Sequence, residues 1–355
     1  MSRIHFDITH PAHVHLFRHA IRDLVDDGHA VAVSSREKEI TTDLLDAYGI
    51  EHTVLSRKGT RKPGLVAEWL GRDLRALRYA WQFDPDVVVS RLSPTAIHAA
   101  ATFGAGSVVL YDTEGTNRLA RLFLPLVDRI CTPDSFETEF GEPHRRHAGV
   151  QELAYLHPDR FEPDFDRLRE HGIDPDDPFA VLRFVSMGAH HDVGREGLSP
   201  AVKRRLVDAL SDLGEVYVSA EGSLPPDLDA RPVPVPPAAI HDLLAAANVL
   251  VTDSNTMATE AGLLGTPSVR SGSYVDTGEF SNFAALAEAG LVESIADGDA
   301  AVERAVELAA DPDASDRWAE RRREYVAAST DVTDYIVDTV LEVAGERDAE
   351  SVARE

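Results

Sequence analysis

The chain is predicted to be an α/β protein built from two successive Rossmann-like halves, each a parallel sheet covered by helices. Three features of its 355 residues carry that prediction. Short apolar runs that suit buried strands alternate with helical patterns, first over residues 4–132 and again from residue 179 onward. Between the two series, residues 149–178 lose the alternation and gather Pro and Asp, as connections do. The length exceeds one ordinary core and suits two domains of roughly 150 residues each.

In the first half, strands are expected at residues 4–8, 30–34, 52–55, 87–90, 107–111 and 128–132, with helices between most of them. Gly28-His29 closes the first helix and Gly49-Ile50 the second, as helix C-terminal glycines do. In the second half, strands are expected at 179–185, 215–219, 249–252 and 267–270, separated by helices such as 200–213 and 238–246. The proline-rich run from Arg231 to Pro237 reads as a rigid extended connector. Segments 300–310 and 318–341 read as helices. The expected division is 1–150 for the first domain, 151–178 for the connection and 179–331 for the second domain. Residues 332–345 form a terminal helix and 346–355 a frayed tail.

Composition narrows the function. Acidic side chains number 61 against 35 basic, for a net charge of −26, and lysine occurs only at Lys38, Lys58, Lys62 and Lys203. Such a balance reads as adaptation to a high-salt cytoplasm, where hydrated carboxylates keep a screened surface soluble. It argues against nucleic acid as a partner, which requires a basic face. The single cysteine, Cys131, excludes an internal disulfide, and its apolar setting marks it as a buried small hydrophobe rather than a nucleophile. There is no basic start followed by an apolar run, and no stretch of about 18 apolar residues, so a cytoplasmic protein is expected. Residues 65–83 carry Trp69, Leu70, Leu74, Leu77, Tyr79 and Trp81 among several arginines. Periodic apolar residues usually mark burial, so this helix is expected to face the core, with docking on a membrane surface as the alternative.

Ligands of open α/β sheets bind beyond the carboxyl ends of the strands, and several predicted strand ends here carry suitable side chains. The strand at 249–252 runs into Asp253, Ser254, Asn255 and Thr256, which open a helix ending at Gly265, with Glu260 about one turn inside. A helix start offers unpaired N–H groups and the positive dipole end to an anion, although an ordinary Ser or Asn cap has the same spacing. After the first strand come His10, His13 and His15, and histidine is the side chain suited to proton transfer near neutral pH. Helical spacing keeps all three from pointing one way. Their spacing is not that of a zinc site and no cysteine joins them, so no metal is expected.

Arg183 interrupts an apolar strand, and because a buried charge without a partner is costly, it either ends the strand or pairs across the cleft with an acidic group or a phosphate. Ser186, His190 and His191 follow it in the next loop. Asp112, Glu114, Asn117 and Arg118 end the strand at 107–111, although a surface carboxylate cluster is common in so acidic a chain. Arg91 with Ser93 and Thr95 follows the strand at 87–90.

The helix at Asn255, with its tail Leu264-Gly-Thr-Pro267, resembles the nucleotide-sugar site of GT-B fold proteins. It is most similar to that of the peptidoglycan-precursor N-acetylglucosaminyltransferase and of the hydrolysing UDP-N-acetylglucosamine 2-epimerase. The resemblance implies a GT-B-like α/β fold, two Rossmann-like domains with parallel sheets facing a central cleft. The second domain would hold the donor and the first the acceptor, and the last helix would return to the first domain. By the same resemblance Ser254, Asn255 and Thr256 face the phosphates and Glu260 the ribose, while Arg183, Ser186 and His190 or His191 contact the diphosphate. This chain departs from those families in carrying Ser254 and Asn255 where they carry glycines.

His13-Val14 matches a His-Val pair in the transferase's first loop, marking His13 as a general base or acceptor-positioning residue, although that loop's glycine-rich turn is absent here. Glu114-Gly115 is similar to an acidic strand-end loop of the epimerase. Arg91 stands near an epimerase acid, which counts against epimerisation, a reaction needing paired acid and base. His13, Glu114, His190 and His191 are thus the catalytic candidates, and His10, His15, Arg91 and Asp112 the candidates on the acceptor or cleft side. The opening Asp7-Ile-Thr-His-Pro-Ala-His-Val-His15 is also similar to that of an archaeal and bacterial family of this fold whose activity is unassigned.

The implied activity is metal-independent sugar transfer from a nucleotide diphosphate donor such as a UDP-sugar, with no cofactor. Epimerisation at the sugar's second carbon and nucleotide-sugar binding without turnover are the alternatives. The acceptor is unread, a lipid-linked one being compatible with a peripheral place at the inner membrane face.

Overall fold

A computed structural model describes residues 1–57, 62–114, 117–185, 197–221, 224, 228, 230–272, 275 and 281–354. The chain divides into two compact units, Met1–Tyr155 together with Ser329–Glu355, and Leu156–Ala328.

The first unit runs β1 (Arg3–Ile8), α1 (Pro11–Asp26), β2 (Ala30–Glu37), α2 (Thr41–Ala47), β3 (Thr53–Arg57), α3 (Lys62–Phe83), β4 (Val87–Arg91) and α4 (Pro94–Phe103). It continues with β5 (Gly106–Leu110), α5 (Asn117–Phe123), β6 (Arg129–Pro133) and β7 (His144–His147), and α6 (Leu153–Leu156) spans the boundary. The second unit holds α7 (Phe165–Glu170), β8 (Phe179–Phe184), α8 (Pro200–Ser211), β9 (Glu215–Ala220), β10 (Arg231–Pro232), α9 (Ile240–Ala246) and β11 (Val249–Thr252). After these come α10 (Asn255–Leu264), β12 (Ser268–Arg270), α11 (Ser281–Glu288), β13 (Glu293–Ser294), α12 (Gly298–Ala310) and α13 (Ala314–Ala327). The last helix, α14 (Val332–Arg354), belongs to the first unit.

Every strand pairing is parallel. The first sheet has the order β3-β2-β1-β4-β5-β6-β7 and the second β10-β9-β8-β11-β12-β13. In each sheet the order reverses once, between β1 and β4 and between β8 and β11. Helices on either side of such a reversal diverge and open a crevice at the strands' carboxyl ends.

Local sequence accounts for most elements. α1 starts at Pro11, whose missing N–H costs nothing at a first position, and buries Val14, Phe17, Ile21 and Leu24 at helical spacing. Phe17 packs on Phe6 of β1 with ring centroids 5.4 Å apart. α14 buries Val332, Ile336, Val340 and Val343 along one stripe. Gly106 at the start of β5 makes room for it, since a Cβ there would run into Val343 Cγ1.

The structure departs from the sequence expectations in four places. The predicted helix 318–341 breaks after α13, where Asp331 Oδ1 accepts from Thr333 N at 2.8 Å and starts α14. Ser-Thr-Asp segments favour such local bonds over helix continuation. α14 then continues to Arg354, past the expected fray at 346, with Arg129 bonded to Glu342 and Glu346 at 2.9 and 2.6 Å. Short β7, β10 and β13 were not foreseen. β10 lies within the expected connector, where an edge position tolerates proline.

The fourth departure is α3, whose apolar residues divide: Leu77 and Tyr79 pack on the core around Leu55, Ala76 and Ala80, as expected, while the others do not. Leu70, Leu74 and Trp81 are 65%, 68% and 69% exposed. Its inward side is partly polar. Glu68 takes a bidentate bond from Arg36 at 2.7 and 3.0 Å, and Arg72 is buried against Asp7 of β1.

Candidate functional site

The switch point of the second sheet contains the predicted helix start. Ser254 is the N-cap of α10, its hydroxyl accepting from Met257 N at 3.4 Å, and Gly265 closes the helix at φ 85°. The cap satisfies one of the first N–H groups, leaving those of Asn255 and Thr256 to point outward from the first turn, where no intrahelical partner exists. Ser254, Asn255 and Thr256 are half-buried.

Arg270 adds a cation to this helix start. The residue ends β12 and is buried. Its Nη1 donates to Asn255 Oδ1 at 2.9 Å and its Nε to Ser294 Oγ at 3.1 Å, and the guanidinium lies 3.8 Å from the Phe283 ring centroid. Asn255, where relatives were expected to have glycine, thus orients an arginine. Arg270 was missed in the sequence, although an arginine in an apolar strand is the same signal that singled out Arg183.

Asp253 fastens the root of the helix. It is buried, and its two carboxylate oxygens accept from Val185 N at 2.6 Å and Leu198 N at 3.2 Å, holding both ends of the β8–α8 connection. Burial pushes its pKa up, and the two N–H donors oppose that shift. Ser186, His190 and His191 lie outside the described residues.

Glu260 and Arg183 have protein partners. Glu260 is 4% exposed, and its Oε1 lies 3.1 Å from Nε2 of the buried His241, which in turn meets the edge of Phe161. Arg183 donates to Ser219 Oγ at 2.7 Å and pairs with Glu221 at the end of β9. The acidic partner of Arg183 thus lies at the end of the neighbouring strand of its own sheet and not across a cleft, because β9 brings Ser219 and Glu221 alongside it.

At the switch point of the first sheet, β1 and β4 bring His10 and His13 to the same sheet edge as Arg91, with Asp112 and Glu114 beyond the adjacent β5. Arg91 and Asp112 form an ion pair, and Asp112 also accepts from Thr113 Oγ1 at 2.9 Å. Glu114 is half-buried, with Oε2 inside. His10 caps α1, its Nδ1 accepting from Ala12 N at 3.2 Å. His13 Nδ1 accepts from Thr9 N at 3.4 Å, which leaves the ring proton on Nε2. Burial first, then the nearby Arg91, His10 and Lys38, hold the His13 pKa well below its ordinary 6.5. His13 is therefore a neutral hydrogen-bond donor. Of the two roles expected for His13, general base or acceptor-positioning residue, that arrangement favours positioning.

His15 does not join this group. It is buried, bonded through Nδ1 to Tyr48 OH at 3.2 Å and packed on Tyr155, because the helical twist turns it inward. The Asn117 side chain lies outside the described residues, and Arg118 is exposed.

Asp7, quoted above only as part of the opening motif, sits beneath the cluster. It is buried, pairs with Arg72 and accepts from Ser34 Oγ and Ser93 Oγ, each at 2.7 Å. With the Ser34 proton given to Asp7, His5 Nε2 must donate to Ser34 Oγ at 2.9 Å. Among the described residues no group of three or more His, Cys, Asp or Glu could hold a metal.

Two parallel sheets of reversed order, each with its polar groups at the switch point, define a GT-B fold protein. The chain belongs to the family described as Protein of unknown function (DUF354), whose model matches residues 2–345. Solved structures agree on the fold. The spinosyn forosaminyltransferase SpnP matches at a TM-score of 0.66 and 14% identity, over 97% of this chain and 99% of its own. UDP-GlcNAc 2-epimerase from Neisseria meningitidis, bound to UDP-GlcNAc, matches at 0.62 and 13%, over 96% and 99%. MurG of Acinetobacter baumannii matches at 0.56 and 16%, over 96% and 99%. No curated protein matches the chain.

Proposed function

We propose that the protein is a metal-independent glycosyltransferase using a nucleotide diphosphate sugar. The observation that carries this reading is the start of α10 at the β8/β11 switch point, with Arg270 bonded to its first residue. Two outward N–H groups, the helix dipole and a guanidinium together suit a diphosphate, in the bound donor and as the leaving group. That the fold is shared with an epimerase bound to UDP-GlcNAc and with a forosaminyltransferase supports the same class of donor. Glu260, held by His241, would accept from ribose hydroxyls. In the first unit Glu114 would deprotonate the acceptor hydroxyl and His13 would position it by donation from Nε2. A lipid-linked acceptor, and a place at the inner membrane face of the cytoplasm, complete the proposal.

Calorimetry with a panel of nucleotide diphosphate sugars tests the donor site. One donor should bind, and Arg270→Gln or Glu260→Ala should weaken it roughly 10- to 100-fold, the worth of a charge-assisted hydrogen bond. Release of free nucleoside diphosphate only with an acceptor present supports transfer. A changed sugar without acceptor would replace that reading with epimerisation, and binding without either product with a binding protein. No binding across the panel removes the donor site.

A further inference from the structure

We infer that the outward face of α3 docks the first unit on an anionic lipid surface. The inference goes beyond the donor site and stands without it. An amphipathic helix ordinarily turns its apolar stripe to the core. Here polar bonds deep in the sheet edge hold Leu70, Leu74 and Trp81 outward. Arg72 reaches Asp7 and the Ser35 carbonyl, Glu68 takes Arg36 and Ser56, and the Tyr79 ring packs on His5 with centroids 5.0 Å apart.

With those residues inward, positions 70, 74 and 81 fall together on the outward face. Leu70, Leu74 and Trp81 are exposed there, with Arg75 and Arg78 exposed alongside, while Leu77 packs at the edge of the core. Trp69, 54% exposed, and Trp81 are twelve residues apart, or about 18 Å along the axis. Indoles with an apolar stripe between them and arginines beside it are the layout of a helix lying in a lipid interface.

Charge selects the occupant. Among the described side chains of α3 the exposed charged ones are Arg75 and Arg78, both basic, in a chain whose totals are 35 basic against 61 acidic. An anionic headgroup layer complements that pair, whereas two copies meeting face to face would bring their arginines together.

The protein carries its own probe. Of the tryptophans, Trp69 and Trp81 are exposed on α3, and Trp318 is buried. Vesicles of phosphatidylglycerol and phosphatidylcholine should shift the emission of the intact chain to the blue and carry it down in sedimentation, while phosphatidylcholine alone should do so far less. The double variant Leu70→Gln/Leu74→Gln should lose at least about tenfold in vesicle partition. Arg75→Gln and Arg78→Gln should each lose about fivefold with the anionic vesicles only. An unchanged circular-dichroism melt shows that the variants are folded. Equal binding by the double variant, or no binding of the intact chain to anionic vesicles, overturns the inference. A blue shift that grows with protein concentration without lipid also overturns it, since a second copy then covers the face. Donor calorimetry on the double variant should be unchanged, which separates this outcome from that of the donor site.

Discussion

Three histidines of the first unit are held neutral, and each ties pH to stability. Burial is the leading cause for all of them, and it brings His5 and His147 down to about 4 and His13 well below 6.5. The unfolded chain protonates these rings near 6.5 while the folded protein resists, so their contribution is intact above that pH and lost as pH falls toward 4. For His5 and His147 the loss at pH 4 is on the order of 3 kcal/mol each. Urea midpoints should therefore fall steeply between pH 6.5 and 4, and His5→Asn should flatten part of that fall. An unchanged slope in the variant would show that His5 titrates normally. For activity, His13 as a neutral donor predicts no inflection of its own near pH 6.5 in kcat/KM. His13→Gln, which keeps an N–H donor, should retain more activity than His13→Ala. Arg270 and Asp253 were the residues of the donor-side cluster least legible in the sequence, because their partners Asn255, Val185 and Leu198 are set by strand order rather than by spacing.

Among the elements, α10 was read well, since its strand, cap and closing glycine are consecutive. Its depth depends on Gly262, where a Cβ would stand 2.7 Å from the Leu291 carbonyl oxygen. Gly262→Ala should push the helix off β13's approach and cost about 1–3 kcal/mol, measured as a loss of thermal stability. Donor binding should weaken with it if the helix start forms the diphosphate site. α3 shows the opposite case. Its period marks it as an amphipathic helix, but period alone does not say which side meets the sheet. The Asp7–Arg72 pair decides that, through a contact between positions 65 residues apart. The short edge strands β7, β10 and β13 lacked any periodic signal because two to four residues cannot display one.

For the molecule as a whole, charge and chain return are the governing facts. With a net charge of −26, the folded state carries more self-repulsion than an expanded chain, and salt screens it. The thermal midpoint should rise with added potassium chloride over the range where screening changes. A midpoint indifferent to salt would argue that the acidic surface is already compensated. Ending the chain at residue 331 should unfold the first unit, since it removes the buried Val332, Ile336, Val340 and Val343 that seat on β5 and α1. Ending it at 347 keeps them and should leave the unit folded.

Backbone periodicity and punctuation are local properties, so the sequence by itself determined the alternation of strands and helices, two parallel-sheet units and the position of a helix start after β11. The same local signals placed His10, His13 and Arg91 at strand ends. Pairing across strands and between helices depends on which segments become neighbours, and only the tertiary structure decided that. It gave Arg183 to Glu221, Glu260 to His241, Asn255 to Arg270 and His15 to Tyr48, and it turned Leu70, Leu74 and Trp81 of α3 outward. A buried charge or hydrogen-bonding group must find its partner wherever the fold brings one within reach, whatever its distance along the chain.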